Sequence, residues 1–524
     1  MRAGGSPWRK IKQMSSHLGI LRTLVLVVVL LAAVPSFGAG EDQNAGSQSV
    51  VTIELEIGDR SELERLTRLV SIEDVRGHDV RATATPRQLE ELRAAGWSWQ
   101  VANPATLAEE PTMCGEGWVN DLDRSWSCYP SYQQYEALVQ KFAVDNPSLC
   151  RLVDLGSTTN LVHPHRLWAL VISDDPGEEE NEPEVLLTST MHGDETAGFS
   201  LMLRLIDHLL RGYGEDPEVT ELVDDTEIWI NPLANPDGTY FGGDDTVADA
   251  IRSYATSGGG DSGVNPNRNY PDFVDGDHPD GNQWWPETET MMALAESQTF
   301  VLSANFHAGA EVVNYPWDAV ERRHPDDSWF QKLARDWAGL AQSDGPGGYM
   351  TDVTNNGITN GYDWYEIHGS RQDFMTFFHG GREVTIELSE TKLLPSEELD
   401  DIWLWNRRAL LDFIHHAHEG IRGVVVDPRG APLAATIEVL GIDREEDGSM
   451  VRTDLTVGDF HRLLLPGLYD LRIEADGYHP REIQGIAVIE GEATVVDVVL
   501  YPALVRRPSR RMTPNTVTSA PAIR

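Results

Sequence analysis

Between residues 118 and 418 the sequence alternates apolar runs of strand length with helical spacings. The runs are Leu167 to Ile172, Glu184 to Thr188, Glu227 to Asn231, Thr299 to Phe306 and Glu383 to Leu388. Helical patterns fall around them, among them Gln133 to Phe142, Pro286 to Ser297 and Leu404 to His416. This alternation argues for an α/β domain on a mostly buried sheet. One domain does not account for 524 residues, and about three are expected.

The flanks differ in kind. Residues 1–39 have the character of an export signal peptide. Arg2, Arg9, Lys10, Lys12 and Arg22 precede the apolar stretch Thr23 to Val34, and Ser36-Phe-Gly38 offers small residues for cleavage. The stretch is shorter than a bilayer-spanning helix needs and no second one follows, so the mature chain is expected to carry no stable membrane span and to be secreted or periplasmic. Residues 46–104 read as a small α+β unit. Val50 to Ile57 alternates like a strand, Arg60 to Leu69 has helical spacing, and His78 to Ala84 is a second strand. Thr85 then caps a helix that opens on Pro86 and closes on Gly96, and Ser98 to Val101 is a last strand. This unit carries no cluster of chemistry. Behind an export signal it suits a pro-segment over an active site as well as it suits a permanent structural domain. Asn103 to Thr112 is a linker. Residues 419–501 carry short strands with Gly/Pro turns, the pattern of an all-β sandwich. Residues 502–524, with Arg506, Arg507, Arg510 and Arg511 among Ser, Pro and Thr, read as a disordered basic tail.

The chemistry gathers in the central part. Val185-Leu-Leu enters, and Phe199 to Leu210 leaves, the stretch Thr188-Ser-Thr-Met-His-Gly-Asp-Glu-Thr-Ala-Gly198, which reads as strand, tight loop and helix. Its His192 and Glu195 stand three residues apart and can aim an imidazole and a carboxylate at one point. Zinc accepts both ligand types, and a catalytic zinc takes a third protein ligand and keeps one position open. Alone, such a pair is an ordinary surface His and Glu at a helix start. A third ligand is offered by His307, at the end of the apolar strand that starts at Phe300. A metal-bound water needs a base, and Glu387 is a carboxylate inside an otherwise apolar strand, where Glu is rare unless paired or functional. Glu383, at the start of that strand, is its decoy. Asn265-Pro-Asn267-Arg268-Asn269 brings one fixed cation, and Arg binds carboxylates bidentately.

Other features are set aside. Gly258 to Gly263 matches a dinucleotide-loop spelling, but neither follows a strand nor opens a helix. His415, His416 and His418 sit in the last turn of a helix, where cations suit the dipole. Glu178-Glu-Glu reads as a solvated loop. The net charge of −43 argues against nucleic acid as a partner, and most of it is assigned to a solvated surface. The three cysteines allow one bridge, most simply Cys114 to Cys128, and none lies near the His192 loop.

Taken in order, Met191-His-Gly-Asp-Glu195, Asn235-Pro-Asp-Gly238, Asn267-Arg-Asn269, Pro286-Glu-Thr288, His307 with Val312-Val-Asn-Tyr-Pro316, and Glu387-Leu-Ser389 resemble the zinc metallocarboxypeptidases, specifically their N/E-type (regulatory) branch. The sandwich is similar to the transthyretin-like domain of that branch. The resemblance implies a mixed-sheet catalytic domain at 114–418 and one Zn2+ held by His192, Glu195 and His307. It makes Glu387 the general base and then the acid, and gives Asn267 and Arg268 the terminal carboxylate. It makes Arg252 the residue that polarises the scissile carbonyl and steadies the oxyanion, and Tyr365 a mobile cover over substrate. Asp318 and Gln372 match positions in the pocket for the C-terminal side chain. A buried carboxylate there favours Lys or Arg, so the expected partners are basic peptide or protein C-termini. The unit at 46–104 departs from this branch and resembles pro-segments of the A/B-type branch. Three other readings stay open: a cell-wall peptide carboxypeptidase on the same fold, a binding module on a relic catalytic domain, and an amidohydrolase sharing the His-x-x-Glu pair.

Overall fold

The alternation along the first unit becomes a four-stranded antiparallel sheet. In the computed structural model, which describes residues 50–102 and 110–503, β1 (Val51–Glu56), β2 (Ser71–Arg76), β3 (Asp79–Ala84) and β4 (Gln100–Val101) are ordered β2-β3-β1-β4. Helix α1 (Arg60–Leu66) starts on the Asp59 side chain, and α2 (Pro86–Ala94) on a capping box of Thr85 and Gln88. Ile53, Leu55, Leu63, Leu66, Ile72, Val80 and Leu92 form the core. α1 stops at Leu66, three residues short of the helix expected to reach Leu69. Strand β2 is absent from the sequence-based reading. Its Ser-Ile-Glu-Asp-Val-Arg pattern buries only Ile72 fully among its hydrophobics, while Ser71 and Glu73 meet Asn265 and Lys392 outside the unit.

The central sheet has eight strands: β5 (Cys150–Ser157), β6 (Arg166–Ile172), β7 (Glu184–Ser189), β8 (Glu227–Asn231), β9 (Phe300–His307), β10 (Ala310–Tyr315), β11 (Ile358–Asn360) and β12 (Arg382–Ser389). Their order is β11-β10-β12-β9-β7-β8-β6-β5. The core β12-β9-β7-β8 is parallel, with antiparallel pairing at β10–β12, β8–β6 and β6–β5, so the sheet is mixed. Successive residues serve opposite faces. Val185, Leu187, Ile228 and Ile230 pack on one side with Phe199, Trp337 and Phe413. Leu186 and Trp229 pack on the other with Met291, Leu294 and Phe374. These partners come from α4 (Ala197–Gly212), α6 (Pro286–Ser297), α7 (Asp327–Asp344), α8 (Arg371–His379) and α9 (Leu399–His415), with α3 (Tyr132–Asp145) and α5 (Pro217–Asp225) completing the layers. With both faces covered, strands read as near-continuous apolar runs. α9 begins at Leu399 rather than at Leu404, because Leu399, Ile402 and Trp403 extend its buried face and Asp400 and Asp401 suit its N-terminus. Cys114 and Cys128 are disulfide-bonded, and Cys150 is buried and free.

The last part is a β-sandwich of β13 (Gly420–Val426), β14 (Ala435–Val439), β15 (Val451–Arg452), β16 (Asp459–Arg462), β17 (Gly467–Ala475), β18 (Arg481–Val488), β19 (Ala493–Val495) and β20 (Val498–Val499). One sheet is β16-β13-β19 with β20 on β13, the other β15-β14-β17-β18, and Ile421, Val425, Ile437, Phe460, Leu471 and Ile473 fill the space between. The seam to the catalytic sheet is ionic. Asp326 accepts from Arg382 at 2.6 Å and from Arg462 at 2.7 Å, and Arg462 also meets Asp443 at 2.6 Å, all four buried. Among the described residues no helix is long and apolar enough to cross a membrane. The proposed export signal lies outside the described residues, as do most of the linker and nearly all of the basic tail.

Candidate active site

Strands β7 and β9 run parallel with Ser189 beside Phe306, so the loop after β7 and the end of β9 open at one edge of the sheet. His192 and Glu195 come from that loop and His307 from that strand end. Their ligand atoms all lie within 4.8 Å of one another, and all three residues are buried. The Nδ1 atoms of His192 and His307 are 3.1 Å apart. The Glu195 carboxylate lies 2.9 Å from the first and 2.7 Å from the second. Each imidazole keeps its other nitrogen on an asparagine, His192 Nε2 at 2.9 Å from Asn265 and His307 Nε2 at 2.7 Å from Asn305. Two imidazoles, one carboxylate and fixed outer partners are the donor set of a catalytic zinc site, so the residues fit one Zn2+. Burial raises the pKa of Glu195, but His192, Arg252 and His307 outweigh it and hold the carboxyl well below its usual range. Burial, then the charge of Arg252, pushes His192 down to about 3, leaving a neutral imidazole free to ligate.

Close backbone packing fixes this loop. A Cβ on Gly193 would stand 2.3 Å from the backbone of Gly238, so only glycine lets the His192 loop meet the Asn235-Pro-Asp-Gly turn. Asn235 Nδ2 donates to the carbonyls of Met191 at 3.1 Å and Ser253 at 3.0 Å, tying the loop to the segment that carries Arg252.

Glu387 is the register partner of His307 on the neighbouring strand. Its Oε2 is buried without a hydrogen-bond partner, and burial, then the charge of Glu195, pushes its pKa well above the carboxylate range. That is the state expected of a group that takes and returns a proton. Glu383 also keeps one oxygen, Oε1, buried without a partner, but its Oε2 pairs with Arg371 at 3.1 Å and accepts from Ser303 at 2.8 Å, as a structural carboxylate does.

Arg252 donates through Nη1 to Glu195. Arg268 gives Nη1 to the carbonyl of Asn267, while its Nε and Nη2 are buried without partners, two adjacent donors in the fork that a carboxylate accepts. Asn267 turns its carbonyl oxygen to the backbone N–H of Arg371 at 2.9 Å. The Tyr365 phenol is buried against Arg268, and burial lifts its pKa to about 12. Asp318 is 1% exposed. Its Oδ1 accepts from Gln372 at 3.1 Å and Asn314 at 3.0 Å, its pKa is raised by burial, and the charges of Arg268 and His307 reach it. No lysine or arginine among the described residues forms an ion pair with it. Gly361 leaves room for this carboxylate, since a Cβ there would overlap Asp318 Oδ1.

Sequence reasoning places Asn265 in the Arg268 cluster but not beside His192, and it misses Asn305, Asn314, Lys392 and, above all, Glu73. Asn305 carries a signal, two residues before His307 and so on the same strand face. Glu73 lies in β2 of the first unit. It pairs with Lys392 Nζ at 2.9 Å, and Lys392 also lies 3.6 Å from Asp194. Burial raises the Glu73 pKa, but Lys392 and then Arg252 outweigh it and hold it below the usual value. Ser71, also in β2, receives a hydrogen bond from Asn265, the partner of His192. Tyr365 and Ile367 are part of the first unit's own core.

Residues 135–409 match the family described as zinc carboxypeptidase, and residues 420–501 match the carboxypeptidase regulatory-like domain. The chain is 37% identical to human carboxypeptidase D over 366 residues, 67% of this chain and 25% of that protein. It thus spans a quarter of the length of the carboxypeptidase D relatives. It is 35% identical to the human carboxypeptidase N catalytic chain over 420 residues, 72% of this chain and 89% of that one. Carboxypeptidase A from Helicoverpa armigera shares the fold, with a TM-score of 0.54 at 16% identity over 70% of this chain and 97% of that one. A mixed sheet that converges two histidines, a glutamate and a second, buried glutamate at one edge, matched over this span, is a zinc carboxypeptidase domain, and the chain belongs to that family. The trailing regulatory-like domain and the kinship with carboxypeptidases D and N place it in the N/E-type branch.

Proposed function

We propose that the protein is an exported zinc carboxypeptidase that removes single C-terminal Lys or Arg residues, and that its first unit covers the site until displaced. Zinc, when bound, acidifies a water and polarises the scissile carbonyl. Glu387 takes the proton of the attacking water and returns it to the leaving amine. Arg268 holds the terminal carboxylate in its fork, beside Asn267. Arg252 turns its guanidinium to the developing oxyanion, and Tyr365 covers the bound residue.

Asp318 is the observation that carries the specificity. Its carboxylate is buried, accepts from Asn314 and Gln372 and forms no ion pair with a Lys or Arg among the described residues, so a Lys or Arg side chain of the substrate supplies the missing partner, and an apolar one leaves it unpaired. The test is release of the last residue from matched peptides ending in Arg, Lys, Phe or Glu, with a muropeptide alongside, by zinc-loaded protein freed of residues 50–112. Arg and Lys release is expected. Phe release in their place would refute the role of Asp318 and keep the enzyme. Cleavage of the muropeptide alone would replace the substrate class.

A further inference from the structure

Asp318 is not the only buried carboxylate at its pocket. Asp373, the third residue of α8, is 2% exposed and turns both oxygens to the backbone that carries Asp318. The N–H of Asp318 donates to its Oδ1 at 3.0 Å and to its Oδ2 at 3.1 Å, and the N–H of Ala319 donates to Oδ2 at 3.0 Å. What Asp373 receives is backbone N–H, and no lysine or arginine among the described residues forms an ion pair with it. The far side of the same peptide is held too. The carbonyl of Asp318 accepts from the N–H of Ile367 at 3.1 Å, and that of Trp317 from the N–H of Tyr362 at 2.8 Å. With its backbone fixed on both sides, the direction of the Asp318 side chain is fixed as well.

The start of α8 gives this clamp its context, because each of its first three residues holds a different piece of the substrate site. The N–H of Arg371 donates to Asn267 at 2.9 Å. Gln372 donates to Asp318 Oδ1 at 3.1 Å and accepts at 2.8 Å from the N–H of Thr385, two residues before Glu387. Asp373 takes the backbone of Asp318. Ser370 caps the helix by accepting from the N–H of Asp373 at 3.3 Å, and its side chain also hydrogen-bonds that of Asp318. A helix cap does not require a buried acid at the third position. Burying a carboxylate without a cation costs stability, and burying it beside a second one costs more. Burial, then the charge of Asp318, pushes the Asp373 pKa well above the carboxylate range. A local cost of this kind is expected where a group serves function rather than folding.

We propose that Asp373 is a positioning residue for side-chain specificity, fixing the backbone of Asp318 and Ala319 so that the Asp318 carboxylate stands where a C-terminal guanidinium or ammonium meets it. Asp373 acts through Asp318, since both its oxygens are turned to backbone N–H groups. The inference rests on the reading of Asp318 given above and adds the group that aims it.

The zinc-loaded chain is assayed intact, and again after limited proteolysis of the folded protein has released residues 50–112, on matched peptides ending in Arg and Phe. Asp373→Asn keeps the shape of the side chain but removes its charge and one acceptor. It should lower the ratio of kcat/KM for Arg-ended over Phe-ended peptides about tenfold or more, through a higher KM for the Arg-ended peptide with little change in kcat. Zinc content and release of Phe should stay at the wild-type level. Asp373→Ser, with one oxygen in place of two, should do the same and serves if Asp373→Asn does not fold. Asp318→Ser is run beside them. A ratio that the folded Asp373 variant leaves unchanged while Asp318→Ser lowers it would overturn the inference and leave the reading of Asp318 standing. Equal losses on both peptides, the mark of a merely structural role, would overturn it too. A ratio that Asp318→Ser leaves unchanged, or absence of release from either peptide in both forms of the wild type, would overturn the inference and the reading together.

Discussion

The carboxylate of Glu73 lies 2.9 Å from Nζ of Lys392, joining the second strand of the first unit to the loop after the strand of the proposed catalytic base. Against burial, Lys392 and Arg252 favour the charged form of Glu73, and in the proposed covering role it occupies positive charge that a substrate would otherwise use. Replacing it by lysine sets like charges against each other in a buried place. Glu73→Lys is expected to raise kcat/KM of the full chain on an Arg-ended peptide, toward that of protein freed of residues 50–112. Glu54→Lys, on an exposed position of β1, should not. Full activity in the unaltered chain would contradict the covering role.

Asp318 sets a second expectation. Asp318→Ser removes the buried charge while keeping a small polar side chain. The ratio of kcat/KM for Arg-ended over Phe-ended peptides should fall about 100-fold or more. An unchanged ratio would show that another group reads the side chain.

Asn265 accepts at the outer nitrogen of His192 and donates to Ser71 of the first unit. Loss of such an outer partner lets a metal-ligating ring turn. Asn265→Ala should weaken zinc retention about 10- to 100-fold, read by competition with a chromogenic chelator. Retention equal to wild type would make Asn265 dispensable for ring orientation.

Asp326 carries the seam between the catalytic sheet and the sandwich. Asp326→Asn leaves Arg382 and Arg462 buried without their shared anion, a loss of about 3–5 kcal/mol in chemical denaturation. Burial raises the Asp326 pKa, but Arg462 and Arg382 outweigh it and depress it strongly in the folded state. Its contribution is therefore present above the unfolded value near pH 4 and is lost as pH falls through the lower, folded value. Acid unfolding should thus begin at higher pH in Asp326→Asn than in the wild type.

Much of the site is legible in the sequence because zinc chemistry fixes residue types at element ends. His192 and Glu195 leave one strand end, His307 closes another, and Glu387 stands out as a carboxylate in an apolar run. Glu73 is illegible for the opposite reason: in a strand of Ser, Glu, Asp and Arg, a residue that faces another domain looks like one that faces water. The histidines of the 415–418 run stay structural, as their place at a helix end implies; His416 meets Asp412 and Glu419, which, against burial, raise it to about 9.

The most direct measurement is release of C-terminal arginine by protein freed of residues 50–112, before and after zinc is stripped with a chelator, and after zinc is returned. Glu387→Gln, loaded with the same zinc content, is run beside it. Release that stops on stripping, returns with zinc and falls about 10²- to 10⁴-fold in Glu387→Gln is the predicted result. Release that survives loss of zinc, or that Glu387→Gln leaves unchanged, would contradict the assignment of the site.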